Sequence, residues 1–263
     1  MTLLHKELTH QIRGSVYEVF RHLGPGWEEK TYHLALLYEL GLRGLNADYH
    51  PKHPVHYKGK QLIEFEFDLL VEKTVILELK FVHSDFLPIH YTQLISYLKA
   101  YRANLGLLIN FGLHKAEIKR VPFTPNTGDL VHNFANLSPL SPTHQNLLDL
   151  IWESGQDIID ELGPGYDQRV YERAMQFELG QKNLCVLQNL GVGVRYKRQF
   201  INGVTIKPWL VENQMLLFIR AGTGEISTYD IISLKAYLRQ LSLNLGVICF
   251  FHKMGVELRA VQV

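Results

Sequence analysis

Two stretches of the chain repeat each other in register. Leu23-Gly24-Pro25-Gly26 recurs as Leu162-Gly163-Pro164-Gly165, and the same offset of 139 pairs Tyr32 with Tyr171, Ala35 with Ala174, Glu39 with Glu178, Gly41 with Gly180 and Leu45 with Leu184. Further on, an offset of 140 pairs Leu70-Val71-Glu72 with Leu210-Val211-Glu212, Tyr97-Leu98 with Tyr237-Leu238, and Asn104-Leu105-Gly106 with Asn244-Leu245-Gly246. Around 46–66 and 185–206 the two copies do not align clearly. Self-similarity over this length means two copies of one unit rather than one large domain. Residues 122–142 contain Pro122, Pro125, Pro139 and Pro142 among small polar residues, a composition that breaks helices and ladders, so they are expected to link a first domain, 1–121, to a second, 143–263.

Within each copy the apolar spacing changes from helical to alternating. Amphipathic helices are expected at about 3–22 and 144–161, each followed by a Gly-Pro-Gly turn and a second helix, which in the first copy carries Tyr32, Leu36 and Leu40. Strands are expected at about 53–58, 62–71 and 74–82, then a helix at 86–102 and strands at 105–111 and 116–121. In the second of these strands Glu64, Glu66 and Asp68 alternate with Phe65, Phe67 and Leu69; in the third, Glu78 and Lys80 share a face while Val75, Leu77, Leu79 and Phe81 point into a core. If the two strands pair, Asp68 and Glu78 can meet around one divalent cation. Magnesium takes one or two carboxylates and leaves room for water and phosphate. Lys80 stands beside them, Gln93 and Tyr97 lie one turn apart on the next helix, and Glu29 opens the helix after the turn. A lone Glu-x-Lys is ordinarily an exposed ion pair on an edge strand, worth about 0–1 kcal/mol; its company here makes a metal site the better reading.

Composition narrows the function. With 27 basic and 26 acidic residues the net charge is +1, which excludes a tight nonspecific nucleic-acid coat and makes any DNA contact local. Cys185 and Cys249 lack metal-site spacing and are expected to be buried thiols. The histidines, among them His50, His53, His56, His83 and His90, show no zinc spacing and are expected in loop or surface roles. No apolar run is long enough to span a membrane and the start does not resemble a signal peptide, so a soluble, cytoplasmic chain is expected.

The segment Gly26-Trp27-Glu28-Glu29-Lys30-Thr31-Tyr32, with Asp68, Glu78-Leu79-Lys80 and Gln93-x-x-x-Tyr97, resembles the bacterial GxxExxY proteins of the PD-(D/E)XK nuclease superfamily, and the last pairing resembles its RecB-like members. The resemblance covers residues 8–121; Glu66 departs from the family pattern. It implies an α/β fold of two tandem restriction-endonuclease-like domains, each a central mixed sheet flanked by helices. It further implies Mg2+ or Mn2+ held by Glu29, Asp68, Glu78 and the Leu79 carbonyl, with Lys80, Gln93 and Tyr97 completing a site for cleaving DNA or RNA. In the second copy Gln168, Pro208, Phe218, Arg220 and Ser233 stand where the first has Glu29, Asp68, Glu78, Lys80 and Gln93, while Tyr171 and Tyr237 keep the tyrosines. Proline and phenylalanine cannot ligate a hard cation, so the second copy is expected to be catalytically dead and the chain to be an intramolecular pseudo-dimer. The competing expectation is a non-catalytic nucleic-acid-binding or protein-interaction module derived from a nuclease.

Overall fold

In the computed structural model, residues 4–134 and 137–263 are described. Residues 1–3 of the first expected domain and 135–136 of the expected linker lie outside them. The chain divides into two units, Met1–His56 with Gln61–Pro125, and Tyr57–Lys60 with Asn126–Val263.

In the first unit α1 (Lys6–Leu23) and α2 (Glu29–Leu42) are joined by the Gly-Pro-Gly turn. Gly24 at φ 65° and Gly26 at φ 106° occupy the left-handed region that favours glycine. The turn is tied down by Tyr32, whose Oη donates to the Gly24 carbonyl at 2.7 Å and accepts from the Trp27 amide at 3.3 Å. A five-stranded sheet follows in the order β1 (Ala47–Tyr49), β4 (Leu69–Val71), β5 (Val75–Lys80), β6 (Leu105–Asn110), β7 (Glu117–Pro122). It is mixed: β5 and β6 run parallel because α3 (Pro88–Tyr101) crosses between them, and the other pairs are antiparallel. One core joins Ile12, Val16, Leu36 and Leu40 of the helices to Leu69, Val71, Val75, Leu77, Leu79, Leu107 and Ile109 of the sheet.

The expected strand 62–71 is two strands. β3 (Lys60–Glu66) pairs with β2 (Lys52–Tyr57) in a separate hairpin, and only β4 enters the main sheet. Between them the backbone turns to other partners, Phe67 N–H to the Pro51 carbonyl and His50 N–H to that of Asp68, both at 3.1 Å. Phe65 and Phe67 are both buried, so the alternation in sequence runs straight through the break.

The second unit comprises β8 (Asp129–Asn133), α4 (Pro142–Leu162), α5 (Gln168–Gln181), β9 (Val186–Leu187), the ribbon β10 (Leu190–Tyr196) and β11 (Gln199–Ile206), β12 (Trp209–Val211), β13 (Met215–Ala221), α6 (Thr228–Leu241), β14 (Leu245–His252) and β15 (Gly255–Gln262). Its six-stranded sheet runs β8-β15-β14-β13-β12-β9, again with its crossover pair, β13 and β14, parallel. The register repeats that of the first unit: Leu69 opposite Leu77 becomes Trp209 opposite Leu217, and Ile76 opposite Gly106 becomes Leu216 opposite Gly246. The tyrosine latch repeats as well, with Tyr171 Oη donating to the Gly163 carbonyl at 2.8 Å and accepting from the Tyr166 amide at 3.1 Å.

Two expectations are corrected here. The proline-bearing stretch is not free of ladder structure: β8 lies within it and pairs in parallel with β15, because its prolines flank residues 126–138 and leave Leu130 and Val131 able to extend. Of the cysteines only Cys249 is buried; Cys185 is exposed, just before the two-residue edge strand β9. Among the described residues no helix is long and apolar enough to cross a membrane.

Candidate active site

β5 is the middle strand of its sheet, which excludes the edge-strand reading of Glu78 and Lys80. Glu78 is 1% exposed. Its Oε1 accepts from Lys80 Nζ at 2.6 Å, while Oε2 is buried without a hydrogen-bond partner. The alternation of β5 produces this arrangement, since Leu77 and Leu79 fill the core beneath the helices and turn Glu78 and Lys80 to the opposite face. Burial, and next the charge of Asp68, push the Glu78 carboxyl up to about 8, against the pull of Lys80.

Asp68 occupies the bend between β3 and β4. Its Oδ2 accepts the Leu79 amide at 2.6 Å, which fixes the carboxylate beside β5. Glu29 comes from the first turn of α2 and is half-exposed. One turn later His33 is 3% exposed, with Nε2 3.7 Å from Glu29 Oε1 and 3.8 Å from Asp68 Oδ2. These separations exceed hydrogen-bonding range, and Nε2 has no partner. Burial holds the His33 imidazole below its ordinary pKa despite the attraction of the Asp68 and Glu29 carboxylates, so the neutral form prevails at pH 7. Sequence reasoning did not single out His33. Its only signal is its position four residues after Glu29, on the same helix face.

Gln93 and Tyr97 form a pair of their own, Nε2 donating to Oη at 2.8 Å, with the Tyr97 ring against Phe65 and Phe67 at 5.0 Å each. Glu66, the additional acid, ends the hairpin strand β3 and pairs with His50 Nδ1 at 2.9 Å. The structure therefore joins Glu78 to Lys80 and Asp68 to the Leu79 backbone, and brings Glu29 and Asp68 within 3.8 Å of His33 Nε2 without a hydrogen bond. Among the described residues no three His, Cys, Asp or Glu side chains form, as they stand, a group that could hold a metal ion. The donors nonetheless fit a divalent cation, since hard carboxylate oxygens predominate and a buried Glu78 oxygen stands without a partner.

The corresponding place in the second unit is chemically different. Phe218 is buried on β13, and the Arg220 guanidinium lies 5.2 Å from its ring centroid while pairing with Asp230 at 3.4 Å.

A mixed sheet reached through two helices, with an Asp at the bend before one strand and a Glu-x-Lys on the neighbouring strand, is the arrangement of a nuclease-type domain, and here the scaffold occurs twice. The chain belongs to the PD-(D/E)XK nuclease superfamily, whose sequence model matches it over residues 6–121 and again over 145–261. Among solved structures it is similar to one described as the crystal structure of SSO0001, at 18% identity over 47% of this chain and 80% of that one, with a TM-score of 0.32. Comparison with curated proteins gave no match.

Proposed function

We propose that the chain is a divalent-metal-dependent nuclease that hydrolyses phosphodiester bonds in DNA, with its active site in the first repeat. The segment from Gly26 to Tyr32 resembles the GxxExxY signature, and Gln93 with Tyr97 resembles the pairing of RecB-like members, which supports this reading. The observation that carries the reading is Glu78, buried on the central strand with one oxygen bound by Lys80 and the other without a partner. A buried carboxyl oxygen without a partner is costly, and a site that retains one is better explained by a ligand than by folding.

Glu29, Asp68, Glu78 and the Leu79 carbonyl would hold Mg2+ or Mn2+. Such a cation supplies Lewis acidity toward a phosphodiester oxygen and lowers the pKa of bound water. The chain's own contribution begins with Lys80. Its ammonium, held 2.6 Å from Glu78, orients the attacking water and offsets negative charge developing on the phosphoryl oxygens. Asp68, fixed by the Leu79 amide, keeps the acidic side of the site rigid. Gln93 and Tyr97 are proposed to position the strand being cut.

In the second repeat Phe218 and the Arg220–Asp230 pair take the place of this machinery, which favours a non-catalytic role there, in packing or in gripping substrate. The test is cleavage of linear, circular and single-stranded DNA and of RNA with Mg2+ or Mn2+. Chelator and Lys80→Ala should each abolish cutting, the latter by about 10²- to 10³-fold or more. Calorimetric titration should show cation binding that is lost in Asp68→Ala. Cleavage that persists in chelator, or an absence of carboxylate-dependent cation binding, refutes the proposal.

A further inference from the structure

The tips of the two ribbons are alike in sequence and conformation but differ in what surrounds them. Tyr57-Lys58-Gly59 closes the β2–β3 hairpin and Tyr196-Lys197-Arg198 closes β10–β11, an offset of 139 that holds at the tips although the strands around them do not align clearly. Both turns place their two central residues at positive φ, 44° and 77° in the first and 46° and 70° in the second, as a tight two-residue hairpin demands. Arg198 thus adopts the left-handed conformation that Gly59 takes without strain, and it adds a positive charge to the second tip. Tyr57–Lys60 belong to the second unit, and there the first tip is seated. Tyr57 is 0% exposed; its Oη donates to Glu178 Oε1 at 2.7 Å and its ring stands edge-on to that of Phe177 at 5.7 Å. Lys58 Nζ reaches Glu178 of α5 at 2.7 Å and Asp157 of α4 at 2.8 Å. Tyr196, by contrast, is 64% exposed, and Phe200 and Ile201 beside it are exposed as well. A two-stranded ribbon that carries apolar side chains into water is marginal without a surface to pack on.

The seat is duplicated too. Phe177-Glu178 of α5 and Asp157 of α4 have Tyr38-Glu39 of α2 and Glu18 of α1 at the same offset, on the helix pair that opens the first repeat. In the first unit this surface is open. Tyr38 is 71% exposed, and Leu34 and Leu42, one turn to either side of it, are exposed as well, which makes an apolar stripe beside two acids. Glu39 pairs with Arg43 and Glu18 with Arg21, surface pairs of neighbouring turns that cost little to exchange for an incoming lysine. We propose that Tyr196-Lys197 of one copy of this chain docks on the α1–α2 face of a second copy, its ring against Tyr38 and its ammonium at Glu39 and Glu18. Tip and face are complementary in charge, and each presents an aromatic ring to water. The occupant is a second copy rather than a foreign protein because the chain already holds a Tyr-Lys tip on a surface of this composition. One acid of that surface is replaced: His22 stands where Glu161 accepts the Lys58 amide, so the second contact is the weaker. A patch this small implies association in the micromolar range.

The experiment is sedimentation velocity of the full chain across the micromolar range, with Tyr196→Ala and Tyr38→Ala, both at exposed positions, as the variants. Expected is a mass that rises with concentration in the wild type. Each variant alone stays monomeric, since one lacks the tip and the other the seat. Mixing the two restores association in 1:1 pairs, because the intact tip of one meets the intact seat of the other, and that restoration also shows both variants to be folded. Lys197→Glu should weaken association at least about tenfold, and added salt should weaken that of the wild type. A wild type that stays monomeric throughout overturns the proposal, including the case in which the tip folds back within its own chain. Association that survives either variant overturns it as well and assigns the contact to another surface. A mixture that stays monomeric overturns the pairing of this tip with this seat. Neither tyrosine belongs to the proposed active site and cleavage is not the readout, so the result is independent of the nuclease reading.

Discussion

Replacing Glu78 by glutamine should stabilise the metal-free protein while abolishing cleavage. The buried carboxyl ionises near pH 8 instead of at its ordinary 4.5, so between those values the folded state holds a proton that the unfolded state has released. Stability therefore falls as pH rises through that window, and the loss is complete above about pH 8. At about 1.4 kcal/mol per decade the ceiling is about 5 kcal/mol. The pull of Lys80 is already contained in that ceiling, but its ammonium loses a charged partner in the variant, so a net gain of about 1–3 kcal/mol is expected. For a unit of this size that corresponds to about 2–10 °C in unfolding temperature. The assay is thermal unfolding of both proteins in EDTA from pH 4.5 to 9. The advantage of Glu78→Gln should be near zero at the acid end and grow until about pH 8. Adding Mn2+ should close the gap by stabilising only the wild type, by about 2.7 kcal/mol at one hundred times its dissociation constant. A variant less stable than wild type at pH 8, or an advantage independent of pH, would show that Glu78 is already compensated in the apo fold and would remove the main support for a ligand at that oxygen.

The two repeats serve as controls for each other. Tyr32→Phe and Tyr171→Phe each delete a hydroxyl that donates to a glycine carbonyl and accepts a backbone amide, so each should cost about 1–2 kcal/mol in chemical denaturation; only Tyr32→Phe, whose turn leads into Glu29, should slow cleavage. Gly106→Ala would bring a new Cβ to 2.7 Å from Leu94, and Gly246→Ala one to 3.0 Å from Leu234. Both should destabilise by about 1–3 kcal/mol, the first more, and Leu94→Ala should partly restore Gly106→Ala in a double-mutant cycle. Asp230→Ala removes the partner of a partly exposed Arg220 and should change stability by less than about 1 kcal/mol, with cleavage unchanged.

Much of the scaffold is legible in the sequence because repetition and periodicity both follow from packing. The 140-residue offset found by matching letters is the offset at which strand partners recur, and the alternation of Val75, Leu77 and Leu79 marks residues that lie together in the core. Alternation does not show which strand a strand pairs with. Residues 62–71 alternate without interruption, yet the backbone leaves the hairpin at Phe67 and enters the sheet at Leu69, and Asp68 owes its position to that bend. Strand β1, three residues long, is too short for a pattern to mark it. His33 was hidden for a different reason: nothing about one histidine beside a motif tyrosine reveals that its nitrogen will be buried against two carboxylates until the packing of α2 onto the sheet is known.

The two repeats differ at the candidate site in side chains rather than in architecture. Both central strands have the same register against their neighbours, and both helical turns carry the same latch. The first repeat places an ionisable group with an unmet oxygen at the middle of its sheet, whereas the second fills that position with Phe218 and turns Arg220 toward Asp230. Phenylalanine at such a site contributes burial and carries no desolvation cost, which agrees with the proposal that the second repeat is non-catalytic. The first retains the less stable choice. A Glu78 oxygen buried without a partner on the central strand is hard to explain by folding alone, and it is accounted for if, as proposed, a cation binds there.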